Sequence, residues 1–217
     1  MERLTVKLTF LESILGTSPN TSDIYREFVA SKAPDAASRE DEIAAVGVDE
    51  YTEKGITVFP RDAQGRPYIY DYQIKGFFKD ACQMLNRLTK REEITTDSGK
   101  VKRQKSAANE SGKLKAYKKE IDGLIFVEPR KIVIDYEGEI GLCQRPLRAQ
   151  TAQGERVALA ISEEIPAGAS VTFTVMMLDP DHRAAVLEWL DYGRLRGIGQ
   201  WRNSGHGRFG YEVIAEA

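Results

Sequence analysis

Cysteine is scarce in this chain of 217 residues, and the two that it has, Cys82 and Cys143, lie far apart among apolar neighbours. Two separated thiols without ligand spacing argue against a disulfide framework and a zinc site, and they are typical of buried cysteines in a cytosolic protein. Long apolar runs are missing too, and the first residues resemble no secretory signal. We therefore expect a cytoplasmic protein with no membrane span, no metal and no other cofactor.

Catalytic motifs are missing as well. The sequence contains no nucleophile elbow, no phosphate loop of the ATPase kind and no cluster of metal-ligating side chains, and it has only two histidines. His182 follows an Asp-Pro-Asp segment where a helix is predicted to begin, so we expect it to cap that helix or to lie on the surface. His206, which is flanked by glycines, is a weak candidate for acid–base chemistry, and Asp23 is a weaker one.

Glycine, in contrast, is concentrated near the C-terminus. Residues 197–213 hold Gly197, Gly199, Gly205, Gly207 and Gly210, and the arginines in or beside this segment are Arg194, Arg196, Arg202 and Arg208. Glycine allows positive φ and a close approach of main-chain N–H groups to a ligand, and no acid lies between Asp191 and Glu212. The segment therefore predicts a polyanion-binding loop. The alternative is a glycine-rich turn between a helix and a final strand.

Positive charge is concentrated in residues 90–119, which hold ten lysines and arginines against four acids in a chain whose net charge is −2. Apolar residues are few there, and glycine, serine and asparagine are frequent, so we expect an exposed, mobile arm. Lys100, Lys102, Arg103 and Lys105 are its candidate phosphate contacts. The alternative is a charged segment that is only solvated.

Hydrophobic periodicity predicts the order of the elements. Alternating apolar residues predict a first strand over residues 3–11, residues 17–54 read as a partly helical insertion, and residues 56–70 have the pattern of a hairpin. Apolar spacings of three and four predict a helix over residues 73–88. Three strand-like runs, a helix that begins near Asp179 and a last strand follow. This order is typical of an α+β, ferredoxin-like fold with an antiparallel sheet.

Four segments, in the expected order, resemble the repeat-associated mysterious protein (RAMP) superfamily of CRISPR-associated proteins. They are LTVKLTFLESILG, PYIYDYQIKGFFKDAC, SEEIPAGASVTFTVMML and GRLRGIGQWRNSGHGRFGYEV. Residues 17–54 do not share the resemblance. The resemblance implies a single domain over residues 1–217 whose core is similar to an RNA-recognition motif. Such a core would hold RNA through the glycine-rich loop, the start of the first helix and an inserted arm.

This resemblance adds candidate RNA contacts where the first helix is predicted to start. Lys75 and Gly76, followed by Lys79, would offer positive charge and open backbone amides where the helix dipole favours phosphate. Taken alone, Lys75 fits a surface lysine and Gly76 a packing glycine equally well.

Aromatic residues lie close to both predicted contact regions. Tyr68, Tyr70 and Tyr72 precede the helix and could stack on unpaired bases, although such residues are more often part of a sheet core. Trp201, among the arginines of the glycine-rich segment, is the better stacking candidate. Its alternative role is to anchor the loop to the core.

The leading hypothesis from the sequence is a non-catalytic RNA-binding protein, similar to the backbone subunits that bind guide RNA in CRISPR ribonucleoproteins. Its partners would be RNA and other effector subunits or further copies of itself, and not a membrane. One alternative is a metal-independent endoribonuclease that processes guide RNA with His206. Another is a solitary or virus-encoded RAMP-like protein that joins or inhibits a CRISPR complex.

Overall fold

The computed structural model describes residues 1–19, 56–95, 101–151 and 154–216. Its helices are α1 (Asp71–Leu85), α2 (Tyr117–Leu124) and α3 (Arg183–Arg196). Its strands are β1 (Glu2–Phe10), β2 (Ile14–Leu15), β3 (Ser18–Pro19), β4 (Ile56–Val58), β5 (Tyr68–Tyr70), β6 (Thr89–Thr95), β7 (Val101–Ala107), β8 (Ile125–Glu128), β9 (Lys131–Asp135), β10 (Gly141–Thr151), β11 (Gly154–Ile165), β12 (Ser170–Met177) and β13 (Phe209–Glu216). Apart from residues 17–19, the predicted insertion at 17–54 lies outside the described residues, as do Asp23 and Lys100.

The main sheet has the strand order β13-β1-β12-β9-β5, and β8 also pairs with β12. β1 lies between β13 and β12 and is antiparallel to both. The alternation that predicted this strand is confirmed, because Leu4, Val6, Leu8 and Phe10 are at most 1% exposed. With the last strand beside the first and one helix after each of β1 and β12, the sheet has the split βαβ order. The predicted fold class, α+β with an antiparallel, ferredoxin-like core, is confirmed.

Helices α1 and α3 pack on each other and on the main sheet through large aromatic side chains. Phe78 of α1 lies 5.4 Å from Trp189 of α3, measured between ring centroids, and Phe77 lies 5.2 Å from Phe209 of β13. The predicted helix over residues 73–88 is present, but it begins and ends earlier. Leu195 near the end of α3 is 75% exposed, so this apolar side chain is not part of the buried face of the helix.

The predicted hairpin over residues 56–70 is wrong in its pairing. β4 pairs in parallel with β11 and antiparallel with β3, whereas β5 pairs with β9 in the main sheet. The turn between them is correct, since Asp62 accepts hydrogen bonds from the N–H groups of Gln64 (3.0 Å) and Arg66 (2.8 Å). An isolated bridge between Arg61 and Pro67 also closes this turn, with backbone hydrogen bonds from Asp62 N–H to Arg66 O and from Tyr68 N–H to Pro60 O, both 3.0 Å. Turn chemistry therefore located the reversal but not the strand partners.

A second sheet, in the order β10-β11-β4-β3, also includes β2, which pairs with β11. β10 and β11 pair antiparallel from Gly141↔Glu164 to Thr151↔Gly154. β10 was not predicted, because polar residues are frequent in residues 141–151 and no clear alternation of apolar residues marks a strand there. Through β2, this sheet lies beside the end of β1.

The predicted basic arm is shorter than residues 90–119. β6 and β7 form a separate two-stranded antiparallel sheet that contains Lys102, Arg103 and Lys105. Beyond it, Ser111 is fully buried and accepts a 2.9 Å hydrogen bond from Trp189 Nε1, and α2 begins at Tyr117. Residues 108–119 are thus attached to the core, and we restrict the arm to residues 89–107.

The structure describes both cysteines, which the sequence predicted to be buried. Cys82 is fully buried, as predicted, whereas Cys143 in β10 is only partly buried, and both thiols are free. Among the described residues, no helix has the length and apolar character needed to cross a membrane. The same residues contain no group of three or more histidine, cysteine or acidic side chains that could hold a metal ion.

Candidate nucleic-acid interface

The glycine-rich loop between α3 and β13 packs against the segment that follows β1. Gly207 has a φ of +70°, and a Cβ on it would lie 1.9 Å from the carbonyl oxygen of Ile198. Its N–H donates to the carbonyl of Ser13 (2.8 Å), and its own carbonyl accepts from the N–H of Ile198 (3.0 Å). Glycine is required at this position for close packing of the backbone on itself.

The amide groups of this loop fall into two sets. The N–H of Gly197 donates to the carbonyl of Gly193 (3.1 Å), and the N–H of Gly205 donates to that of Arg202 (3.0 Å), so these amides are not open to a ligand as predicted. From residue 199 to residue 203, no N–H donates a hydrogen bond within the part of the chain that the structure describes. These five amides form the second set, for which the described residues supply no acceptor.

Three arginines of the loop form ion pairs with two acids from distant parts of the sequence. Arg196 and Arg202 both donate to Asp80 Oδ2 of α1, at 2.9 and 2.8 Å, and Arg208 donates to Glu12 Oε1 at 2.8 Å. The local excess of positive charge predicted from the absence of acids within the segment is therefore reduced, because two carboxylates offset part of the charge of these three side chains. Their ion pairs fix the loop to α1 and to the residues after β1.

Trp201 is the most distinctive side chain of the loop. It has a left-handed backbone conformation, with φ 52° and ψ 35°, which is rare for a residue other than glycine. Its ring stacks on that of His206 with 4.9 Å between centroids and 16° between planes, and Arg145 Cζ lies 5.5 Å from the ring centroid. The side chain is nevertheless 40% exposed. A strained backbone thus presents a preorganised aromatic ring to solvent.

Arg145, in the middle of β10, is a buried cation whose hydrogen-bond partners among the described residues are neutral. It is 6% exposed, donates to Ser162 Oγ at 3.0 Å and donates to Gln200 Oε1. Within the described residues it forms no ion pair with a carboxylate. Because a buried charge is costly without a counter-ion, this guanidinium is suited to a ligand anion that arrives beside Trp201.

His206 is the end of a chain of side-chain hydrogen bonds. Ser13 Oγ donates to Glu164 Oε1 (2.5 Å) and lies 3.0 Å from His206 Nδ1. A hydroxyl has one proton, so the hydroxyl that donates to the carboxylate accepts from Nδ1–H of the imidazole. This assignment leaves Nε2 of the neutral ring as an acceptor, the form that a general base needs.

Lys75 and Gly76 do not lie at the start of α1, so the predicted phosphate site at that position is wrong. The helix begins at Asp71, where the N–H of Tyr70 donates to Gln73 Oε1 (2.8 Å), and Lys75 is in its second turn. In a helix, amides at that position bond to carbonyls four residues earlier and are not open.

Both predicted lysines of α1 are engaged near the start of β8. Lys75 Nζ donates to the carbonyl of Asp122 (3.2 Å) and lies 5.0 Å from the centroid of Phe126, and burial lowers the pKa of this ammonium. Lys79 Nζ forms a 2.6 Å ion pair with Asp122 Oδ1. Neither lysine contacts the glycine-rich loop.

A small cleft joins the glycine-rich loop to the true start of α1. Gln73 Nε2 donates to Thr17 Oγ1 at 2.7 Å across it. The lining residues are Ile14, Leu15, Thr17, Ile69, Gln73, Ile198 and Gly199. The structure therefore brings together the loop and the helix start, two of the regions predicted to contact RNA, through residues other than the predicted lysines.

The remaining predicted residues have varied positions. Arg194 is exposed on α3, and Gly210 lies in β13 opposite Thr9. For Lys102, Arg103 and Lys105 the structure describes the backbone of β7 and not the side chains.

His182 occupies the N-cap position of α3, as one of its two predicted roles required, although its side chain makes no capping hydrogen bond. It is 5% exposed, and its Nε2 lies 3.4 Å from Glu120 Oε2, so the alternative of a surface histidine is wrong. Its burial gives it a packing position, away from the glycine-rich loop.

Four residues of this site were missed by the sequence analysis: Ser13, Arg145, Glu164 and Gln200. They come from the loop after β1, from β10, from β11 and from the glycine-rich loop. Their proximity depends on the second sheet, which was only partly predicted. The one local signal was Gln200 itself, which lies among the glycines of the predicted loop.

Comparison with known proteins gives a fold likeness only. The sequence matches no protein-family profile and no curated protein. Among solved structures, the chain is similar to one chain of a cryo-EM structure of the Type III-B Cmr-beta bound to cognate target RNA, with a TM-score of 0.51 and 11% sequence identity. The likeness covers 100% of the present chain and 60% of the other. The present chain thus spans less than two thirds of the length of the protein that it matches.

Proposed function

We propose that this protein binds single-stranded RNA as a RAMP-type component of a CRISPR ribonucleoprotein. The observation that carries the proposal is the contact of exposed Trp201 with buried Arg145 on a loop that is fixed by ion pairs. An aromatic ring and a guanidinium that has no carboxylate partner among the described residues suit the base and the phosphate of an unpaired nucleotide. The fold likeness to a chain of an RNA-bound Type III-B complex supports the same class of ligand.

In this proposal the base of one nucleotide stacks on Trp201, while Arg145 and the amides of residues 199–203 attract its phosphate. Because the ring is already stacked on His206 and the loop is pinned to α1, little conformational entropy is lost when RNA binds. Stacking tolerates any base, so the site would follow a strand without reading its sequence. The arm at residues 89–107, with Lys100, Lys102, Arg103 and Lys105, would add contacts to the backbone.

Replacement of Trp201 by alanine tests this site. We expect the affinity of Trp201→Ala for a fluorescein-labelled single-stranded RNA, measured by anisotropy, to fall about tenfold or more, because each base–aromatic stack contributes roughly 1–3 kcal/mol. Ile214→Ala, which truncates a side chain that is 52% exposed on β13, is the matched control and should bind as the wild type does. Equal affinities of the two variants would refute the Trp201 site.

The finer role, a backbone subunit that binds guide RNA, is tested on the protein as it is purified. RNA of regular length in a large assembly that ribonuclease breaks down would agree with this role. Effector subunits or further copies of the chain would then be its protein partners. A protein that binds no RNA at low salt would rule it out.

A second candidate function is an endoribonuclease that processes guide RNA. It is favoured by the chain Glu164–Ser13–His206, which leaves His206 Nε2 able to accept the proton of a 2′-hydroxyl. In that case His206→Ala should abolish cleavage of a bound RNA while keeping its affinity, and Ser13→Ala should slow cleavage. Intact RNA after long incubation with the wild-type protein would exclude this activity.

A further inference from the structure

Three tyrosines form a continuous aromatic row that crosses from β5 into α1. Tyr68 and Tyr70 meet edge to face with 5.1 Å between ring centroids, and Tyr68 Oη donates to Tyr70 Oη at 3.1 Å. Tyr70 and Tyr72 stack at 5.1 Å with 18° between their planes. The row leads outward, because Tyr68 is 4% exposed and Tyr72 is 52% exposed.

Cations from the turn between β8 and β9 lie over this row. Arg130 Cζ is 5.4 Å from the ring centroids of both Tyr70 and Tyr72, and Lys131 Nζ is 5.2 Å from that of Tyr68. Arg130 is held by a 2.5 Å hydrogen bond to Asp71 Oδ1, while its side chain is 65% exposed. The guanidinium is therefore fixed above the rings and still open to solvent.

The helix adds a further positive charge beside the outer ring. Lys75 is three residues after Tyr72 in α1, a spacing that places two side chains side by side on a helix. Its ammonium in turn lies over Phe126, which is 38% exposed. Exposed rings with cations around them favour a ligand that has a flat face and negative charge, which describes a nucleotide better than an apolar peptide.

We propose that Tyr72 and Arg130 form a second stacking site for an unpaired nucleotide of single-stranded RNA, with its base on the Tyr72 ring and its phosphate near the guanidinium. The inference rests on the proposed RNA binding and extends it from the glycine-rich loop to the start of α1. The small cleft is lined by Gln73, which follows Tyr72, and by Gly199, two residues before Trp201, so it connects the two segments that carry these sites. The stacked rings are ordered before binding, which lowers the entropic cost of base stacking.

The test combines binding and crosslinking with the full chain and a 5-bromouridine-substituted oligouridine RNA. Tyr72→Ala should weaken binding about tenfold, whereas Tyr72→Phe keeps the ring and should bind like the wild type. Arg130→Gln should weaken binding and lower its dependence on salt. Leu142→Ala, which truncates a side chain that is 57% exposed in β10, is the control. Irradiation should crosslink RNA to the peptide that contains Tyr72.

The outcomes separate this site from the proposed function. If the wild type binds RNA, Tyr72→Ala binds equally well and no crosslink maps to Tyr72, the second site is refuted while RNA binding stands. If Tyr72→Ala fails to fold, the crosslink map and the affinity of Tyr72→Phe still decide whether Tyr72 contacts RNA. A wild type that binds no RNA at low salt refutes both proposals.

Discussion

Gly207 and Gly210 are three residues apart but have different surroundings. A Cβ on Gly207 would collide with the carbonyl of Ile198 and its φ is +70°, whereas a Cβ on Gly210 would have no heavy atom within 4 Å. We expect Gly207→Ala to lower the free energy of unfolding in urea by about 3 kcal/mol, from overpacking and left-handed strain. Gly210→Ala should change it by less than about 1 kcal/mol. Similar losses in both variants would contradict the packing role of Gly207.

Cys82 makes the free energy of unfolding depend on pH in the alkaline range. Burial raises the pKa of its thiol from the ordinary 9.0 to about 11, so the unfolded chain loses this proton at lower pH than the folded chain does. Stability from this group is complete below pH 9 and is lost as pH rises towards 11, with a loss of about 1.4 kcal/mol near pH 10. We expect the free energy of unfolding, measured with urea at about pH 8 and about pH 10, to decrease less in Cys82→Ala than in the wild type, because the variant lacks the contribution of this thiol.

Cys143→Ala is the matched control, because Cys143 is only partly buried in β10. It should keep the full decrease of the wild type between the two pH values. An identical decrease in all three proteins would show that Cys82 does not ionise on unfolding in this range.

At the scale of single residues, sequence reasoning found some members of the site and missed others for a physical reason. Trp201 and His206 could be found because they lie within the glycine-rich segment, where residue type was informative. Arg145 could not, because its importance comes from burial without a carboxylate, which depends on the neighbours Ser162 and Gln200. Burial of a charge is a property of the folded chain alone.

Among the elements, α1 and the glycine-rich loop are joined by one carboxylate. Asp80 accepts from both Arg196 and Arg202, and all three side chains are less than a third exposed. Asp80→Asn removes the charge and should lower the free energy of unfolding by about 1–3 kcal/mol, since it leaves two partly buried guanidinium groups without a counter-ion. Thermal unfolding followed by circular dichroism would measure this loss.

Glu137→Gln, in the exposed turn between β9 and β10, removes the same charge and is the control for this prediction. It should unfold as the wild type does, within about 0.5 kcal/mol. If Asp80→Asn is equally stable, the ion pairs of the loop contribute nothing measurable and the loop is held by its backbone hydrogen bonds.

Elements with strong periodicity were predictable, and those whose partners are distant were not. β1 and α1 bury one face each, so the alternation of apolar residues and the helical spacing predicted their bounds to within a few residues. β4 and β5 flank a correct turn, but they pair with β11 and β9, which are about a hundred and about sixty residues further along the chain. Local turn chemistry cannot choose between a neighbour and such distant partners.

Over the whole molecule, element order was enough to predict the ferredoxin-like arrangement, while charge along the sequence was a poor guide to charge on the surface. Arg196, Arg202 and Arg208 are paired with acids that lie far away in the sequence. Residues 89–107 hold six lysines and arginines against three acids, and β6 and β7 pair only with each other in the described chain. This arm is therefore the part of the molecule in which we propose the main electrostatic contacts with RNA.

The arm makes a quantitative prediction about salt. Neutralising one phosphate contact of a single strand changes the slope of log K against log salt by about 0.7. The triple variant Lys102→Ala, Arg103→Ala and Lys105→Ala should therefore reduce the magnitude of this slope by about 2, in RNA-binding titrations at several salt concentrations. Trp201→Ala, in contrast, should lower affinity at every salt concentration and leave the slope unchanged, because stacking releases no counter-ions.

A second triple variant, Lys115→Ala, Lys118→Ala and Lys119→Ala, is the control for the change of net charge. These lysines are exposed in the segment that the structure attaches to the core, and their removal changes the net charge by the same amount. If the arm makes the contacts, this control keeps the slope of the wild type. If both triple variants reduce the slope equally, RNA responds to the overall charge of the molecule and the arm has no contact role of its own.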